Sequence, residues 1–170
     1  MRGRPPRRDE DAPDERPKPT AKALAVRWLA QRDLSRAELA DRLRRRGAEE
    51  LEIERALDEL AALGYLSDAR YANAVVAQRS GRYGKRAIVH ALSERGIGGD
   101  TAQAALAQLE GRDDREDAHA LWLRRFGRPP RDDREKARHV RFLQSRGFSL
   151  SVALAVLRRA GAADSQTDTP

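Results

Sequence analysis

Cations are the most abundant chemically active groups in this chain, and they come in clusters. Arg42, Arg44, Arg45 and Arg46 crowd one short stretch. Arg79, Arg82, Lys85 and Arg86 follow with no acid among them. Between Arg124 and Arg146 there are nine basic residues against three acidic ones. Such groups bind phosphates or carboxylates; they do not by themselves catalyse. The segment Arg82-Tyr83-Gly84-Lys85-Arg86 adds an aromatic ring to its cations, a composition suited to nucleic acid. By contrast, Glu49, Glu50, Glu52, Glu54, Asp58 and Glu59 make one segment strongly acidic. Charge is thus sorted by element, and the excess is +7 overall. That balance favours a polyanionic partner or one with an acidic surface.

Catalytic signatures are missing. There is no cysteine, so no thiolate nucleophile, Cys-based zinc site or disulfide framework is available. No Gly-rich phosphate loop, Gly-x-Ser-x-Gly elbow or His-Glu-x-x-His occurs. His90, His119 and His139 are not at metal-ligand spacing, and His139 takes a place held by Leu39 and Ile88 elsewhere. A binding protein is expected, with no enzymatic activity, metal or cofactor. No run approaches the ~18 apolar residues of a membrane span, and residues 1–19 lack a signal-peptide core. The expectation is a cytoplasmic monomer with no membrane contact.

The elements carrying these cations repeat. Ser35–Gly47, Gly84–Gly96 and Glu135–Gly147 each end in Arg-Gly, and their glycines are 49 and 51 residues apart. Leu43, Leu92 and Leu143 each lie four residues before the glycine. After it come Ile53, Ala56, Leu57 and Leu60; Ala102, Ala105, Leu106 and Leu109; and Ala153, Val156, Leu157 and Ala160. Each set follows i, i+3, i+4, i+7, one face of a helix. Ahead of the repeats, Ala25, Trp28 and Leu29 match Ala72, Val75 and Val76, and Ala118, Leu121 and Trp122. Each unit therefore reads helix, loop, helix, Gly turn, helix. The glycine supplies a left-handed C′ residue. Ser35/Glu38, Asp100/Gln103, Asp113/Glu116 and Asp132/Glu135 have capping-box spacing.

The expected fold is all-α: three tandem three-helix repeats, helix-turn-helix-like, in an elongated, curved array. The expected boundaries are a disordered N-terminal arm at 1–19, repeats at 20–64, 65–111 and 112–161, and a disordered tail at 162–170. The arm holds five of the eight prolines and no large apolar residue beyond Met1. Gly64–Ala72, GYLSDARYA, reads as an inter-unit packing motif in which Tyr65 and Leu66 span the joint and Ser67 or Asp68 caps a helix. The third unit carries a longer loop with Pro129 and Pro130. A cation recurring at one phase of such an array makes a charged row. The candidate contacts are Arg42, Arg45, Arg46, Arg79, Arg82, Tyr83, Lys85, Arg86, Arg95, Arg124, Arg125, Arg138, Arg141 and Arg146.

The stretches SRAELADRLRRRG, GYLSDARYANAVVAQR, YGKRAIVHALSERG and KARHVRFLQSRGFS together resemble the RecX family of bacterial recombination regulators. The resemblance spans roughly residues 21–160. It implies tandem three-helix repeats that bind RecA recombinase filaments on DNA. It also implies inhibition of strand exchange, ATPase and coprotease activity, in the setting of DNA repair and the SOS response. Direct contact with single- or double-stranded DNA would be weak and sequence-blind. The competing expectations are a stand-alone DNA-binding protein and a helical adaptor for an unrelated partner.

Overall fold

The computed structural model describes residues 19–167, with side chains through 162. The arm expected at 1–19 therefore lies outside the described residues except for Pro19, as do residues 168–170. Among the described residues there are helices and no strand. The first unit comprises α1 (Ala21–Leu29), α2 (Arg36–Arg45) and α3 (Glu50–Ala62). The second comprises α4 (Asp68–Arg79), α5 (Lys85–Ser93) and α6 (Gly99–Leu106), followed by a 3₁₀ turn at Ala107–Leu109. The third comprises α7 (Asp114–Arg125), α8 (Asp133–Ser145) and α9 (Leu150–Thr167).

Caps fix where these helices start. Ser35 and Glu38 form both arms of a capping box on α2. Ser67 caps α4, and Asp113 and Asp132 cap α7 and α8 by accepting from Arg115 N and Glu135 N. The expected pairing of Asp100 with Gln103 fails, because α6 starts two residues earlier and Gly98 is its cap. Glycine fixes where the middle helices stop. Gly47, Gly96 and Gly147 have φ of +80°, +70° and +86°. The next residue in each case, Ala48, Ile97 or Phe148, donates its N–H back to the carbonyl of Leu43, Leu92 or Leu143. That is a Schellman closure, and it drives Ile97 and Phe148 into the core.

Each unit has its own core. The first gathers Leu39, Leu43, Ile53, Leu57 and Leu60, the second Val76, Ile88, Leu92 and Ala105, the third Trp122, Leu143, Phe148 and Val156. The apolar face expected after each glycine is buried throughout α3 and α9. In α6 only Ala105 is fully buried; Ala102, Leu106 and Leu109 pack at its margin. Two expectations need correction. Leu66 enters the core of the first unit rather than spanning the joint, and Tyr65 is exposed. The tail expected at 162–170 is helical through Thr167, because nothing in Gly161–Thr167 breaks an established helix. Gly161 costs only ~1 kcal/mol relative to Ala there, and no proline follows until Pro170.

Consecutive units meet through one device, used twice. The cap end of a unit's middle helix sits on the Arg-Gly turn of the next unit. Ser35 Oγ donates to the Arg95 carbonyl at 2.7 Å, and Gly84 N donates to the Arg146 carbonyl at 2.9 Å. Ser35 and Gly84 are both buried. A Cβ on Gly96 would run into the Ala37 side chain. One on Gly147 would lie 2.6 Å from Ala87 N, and one on Gly84 would lie 2.6 Å from the Gly147 carbonyl oxygen. Both joints therefore require glycine for close approach as well as for the turn.

Candidate functional site

The joints sort the candidate cations into two kinds. Arg95 is half-buried; its Nε donates to the Tyr71 hydroxyl at 3.2 Å and its Nη1 to the Ala91 carbonyl at 2.7 Å. Arg146 reaches across the second joint, donating to the Tyr83 hydroxyl at 3.2 Å. Tyr83 is clamped, with Arg79 5.1 Å and Arg146 5.3 Å from its ring centre. Two guanidiniums thus already lie against the ring, although Tyr83 still lines an open hollow. Arg42 lies 5.9 Å over the Trp28 ring. These five side chains (Arg42, Arg79, Tyr83, Arg95 and Arg146) serve the scaffold first.

The remaining candidates are exposed: Arg45, Arg46, Arg82, Lys85, Arg86, Arg124, Arg125, Arg138 and Arg141. Most of them converge on the second and third units. A concavity of about 600 Å³ at the second joint is lined by Arg79, Tyr83, Arg86, His90, Glu94, Gln144 and Ser145, among others. It shares Ser145 with a groove of about 530 Å³ on α7 and α8, lined by Arg125, Phe126, Arg128, Arg138, His139, Arg141 and Phe142. A third hollow of about 540 Å³ joins Arg82, Arg124 and Arg146 beside Ser80, Gly81 and Leu121. Arg128 was missing from the sequence-based set. Its only signal there was membership of the basic run, which does not separate lining residues from solvated ones.

Three cations of the first unit are paired with acids. Arg36 binds Glu54 and Asp58 at 2.9 and 2.7 Å, Lys22 binds Glu59 at 2.7 Å, and Arg44 binds Asp41 and Glu50. These neutralise part of the acidic α3. In α5 the balance is opposite. Lys85 and Arg86 occupy the first turn with no acid there. Cations at a helix N-terminus oppose the backbone dipole and cost a few tenths to ~1 kcal/mol. That local cost is what a binding role would tolerate.

The floor of the α7–α8 groove is aromatic. Phe126 stacks on His139 with centroids 3.7 Å apart and meets Phe142 edge-on at 5.3 Å. Arg125 and Arg138 lie 5.7 Å from the centre of the same ring. The groove thus offers guanidiniums for phosphate or carboxylate beside rings that already have partners. His139 is buried and accepts from Trp122 Nε1 at 3.3 Å through its Nδ1. Burial, and then the Arg138 charge, push its pKa below the usual histidine value.

Glu135 organises the rim. It accepts from Arg128 at 3.0 and 3.1 Å and from the Arg131 backbone N–H at 3.0 Å. The Arg128 hydrogen bonds, then the Arg131 amide, hold its pKa down to about 2, from an ordinary 4.5. A lowered carboxylate pKa stabilises the fold above its unfolded value and loses that contribution as pH falls through the folded one. The Pro129-Pro130 loop is therefore expected to loosen between pH 4.5 and about 2. Measured against the intrinsic exchange rate at each pH, the protection of the Arg128, Arg131, Asp132 and Asp133 amides should fall across that window, and a Glu135→Gln variant should show weak protection at every pH.

No three His, Asp or Glu side chains among the described residues converge to hold a metal ion. No described helix is long and apolar enough to cross a membrane.

Comparison with known proteins assigns the three units. Residues 21–60 match the first three-helix domain of RecX, residues 67–106 the second and residues 113–157 the third. The Regulatory protein RecX of Leptothrix cholodnii is 46% identical over 145 residues, covering 85% of this chain and 92% of that protein. That of Chromobacterium violaceum is 41% identical over 143 residues, covering 84% and 91%. The crystal structure of RecX from Lactobacillus salivarius superposes with a TM-score of 0.69 over 84% of this chain and 95% of that one, at 21% identity. That structure shares the fold, and the sequence relatives share the regulatory name. Three matched domains in order, on three observed units, mean that this chain belongs to the RecX family of regulatory proteins.

Proposed function

We propose that this protein binds RecA recombinase filaments on DNA and inhibits their ATPase, strand-exchange and coprotease activities. It does so by binding, as a cytoplasmic monomer without a cofactor. The observation that carries the reading is the cationic track running from Arg86 through Ser145 to Arg138 and Arg125, across two units held in register by a glycine joint. A repetitive anionic partner is complementary to such a track; a single small ligand is not. Any direct DNA contact is chiefly to phosphates, since the rings beside the cations already hold Arg and His partners. A stand-alone helix-turn-helix reader fits poorly. The helix after the first Gly turn is α3, with Glu50, Glu52, Glu54, Asp58 and Glu59, which phosphates would repel.

Titrating the protein into RecA hydrolysing ATP on single-stranded DNA is expected to slow turnover and bring the protein down with the filaments. No slowing and no co-sedimentation would sink the reading. The combined Arg82→Glu, Lys85→Glu, Arg86→Glu variant is expected to weaken filament binding on the order of tenfold or more. Its helicity should hold or rise, because two of the changes place acids at the α5 N-terminus. Full inhibition by this variant would remove that loop from the contact.

A further inference from the structure

Among the described residues the Arg-Gly turn occurs three times and is filled twice. Arg95-Gly96 receives the Ser35 end of α2, and Arg146-Gly147 receives the Gly84 end of α5. Arg46-Gly47 has the same closure, with φ +80° at Gly47 and Gly47 N bonded to the Arg44 carbonyl. Around it the space is open: a Cβ on Gly47 would meet nothing within 4 Å among the described residues, and Arg46 is exposed.

We infer that Arg46-Gly47 is a docking seat for a helix N-terminus of the protein partner. The occupant's chemistry is read from the two filled copies. It needs Ser or Gly at the cap, offering a hydroxyl or an N–H to the Arg46 carbonyl. It needs a small residue in its first turn, as Ala37 and Ala87 are, to lie against the glycine. Its neighbourhood should be acidic or phenolic, to engage the Arg46 guanidinium.

A second copy of this chain is a poor occupant. Its free end would be the third unit, where the position matching Ser35 and Gly84 is Glu135. That residue is not a cap; it lies inside α8, bonded to Arg128 and Arg131 N. The cap of α8 is instead Asp132, three residues earlier, whose carboxylate already accepts from Glu135 N and cannot donate as the Ser35 hydroxyl does, so the third unit presents a different edge. Seat and track are separate surfaces, so the protein would grip its partner at both the first unit and the last two.

This inference rests on the filament reading, and the test separates them. Full-length wild type, Gly47→Asn, Arg46→Glu and Gly111→Asn are each sedimented with RecA filaments on single-stranded DNA. Asn tolerates the left-handed region, so Gly47→Asn fills the seat at little backbone cost. Gly111 has φ +82° and open space too, but belongs to no Arg-Gly turn, and is the control for strain. Expected is a loss on the order of tenfold for both Gly47→Asn and Arg46→Glu, with Gly111→Asn unchanged. Wild-type binding with Gly47→Asn equal to it overturns the seat while the filament reading stands. Loss with Arg46→Glu alone also overturns it, as does equal loss in Gly111→Asn. Failure of the wild type to sediment rejects the filament reading itself. Self-association of the wild type alone, abolished in Gly47→Asn, would make the occupant a second copy and overturn the assignment to the partner.

Discussion

Gly147→Val is expected to detach the third unit from the second. The new Cβ would lie 2.6 Å from Ala87 N and closer still to the Ala87 side chain. Backbone cannot swing aside as the end of a long side chain can. A β-branched residue at φ +86° adds strain of its own. Left-handed strain of ~1–3 kcal/mol and a clash of ~1–3 kcal/mol together exceed what one backbone hydrogen bond and one Arg–Tyr contact return. The units should stay helical, because each has its own core. Small-angle scattering should show a larger radius of gyration, and inhibition should be lost as the track breaks at Ser145. Gly47→Val is the matched control: it carries the same backbone strain with no neighbour to strike, and its scattering should equal the wild type. A Gly147→Val profile superimposable on the wild type would falsify the joint.

The three glycines show what sequence can and cannot say. Their position after a helix, with Leu four residues before, announces a left-handed stop. That role is local, and all three perform it. The second role depends on what the neighbouring unit brings to the same spot. Gly96 and Gly147 are pressed against Ala37 and Ala87, whereas Gly47 is not. Ala37 is 59 residues from Gly96, and Ala87 is 60 from Gly147. No periodicity inside a unit encodes that meeting.

The same limit governed the cations. Helical period made the scaffold legible, because an apolar face is a local pattern with one dominant use. Charge is local too, but its use is decided elsewhere. Arg146 meets Tyr83 from 63 positions away, and Arg95 meets Tyr71 from 24. Both looked like surface cations on repeat phase alone. Arg82, Arg86, Arg138 and Arg141 have the same composition signal and remain exposed. What separates the two groups is whether a tyrosine lies opposite, which only the packed units reveal. The final turn of α9 was missed for a different reason. A polar sequence was read as unable to stay ordered, although it continues a helix already anchored by Val156, Leu157 and Ala160.

Trp122→Ala is expected to unfold the third unit while leaving the other two helical. Trp122 heads the fully buried side chains, and truncating such a residue costs ~3–5 kcal/mol. A unit of this size, at ~0.05–0.15 kcal/mol per residue, has only about 2–7 kcal/mol to lose. The change also takes the donor from His139 Nδ1. Trp28→Ala should be milder, since Trp28 is half-buried at the margin of its core. The partial loss of ellipticity on Trp122→Ala, set against Trp28→Ala, measures the difference. The same pair makes the third unit sensitive to acid. Protonating His139 at Nδ1 would destroy its acceptor and place a cation beside Arg125, Arg128, Arg138 and Arg141, opposed by the nearby Glu135 carboxylate. A histidine whose folded pKa is depressed binds its proton more readily in the unfolded chain. Stability is therefore complete above the ordinary value of 6.5 and falls as pH drops from there toward the lower folded pKa. His139→Asn keeps an oxygen acceptor near the Nδ1 position but cannot titrate. Its melting temperature should be flat between pH 7 and 5, where the wild type declines. An equal slope in both proteins would show that the acid sensitivity resides in another group.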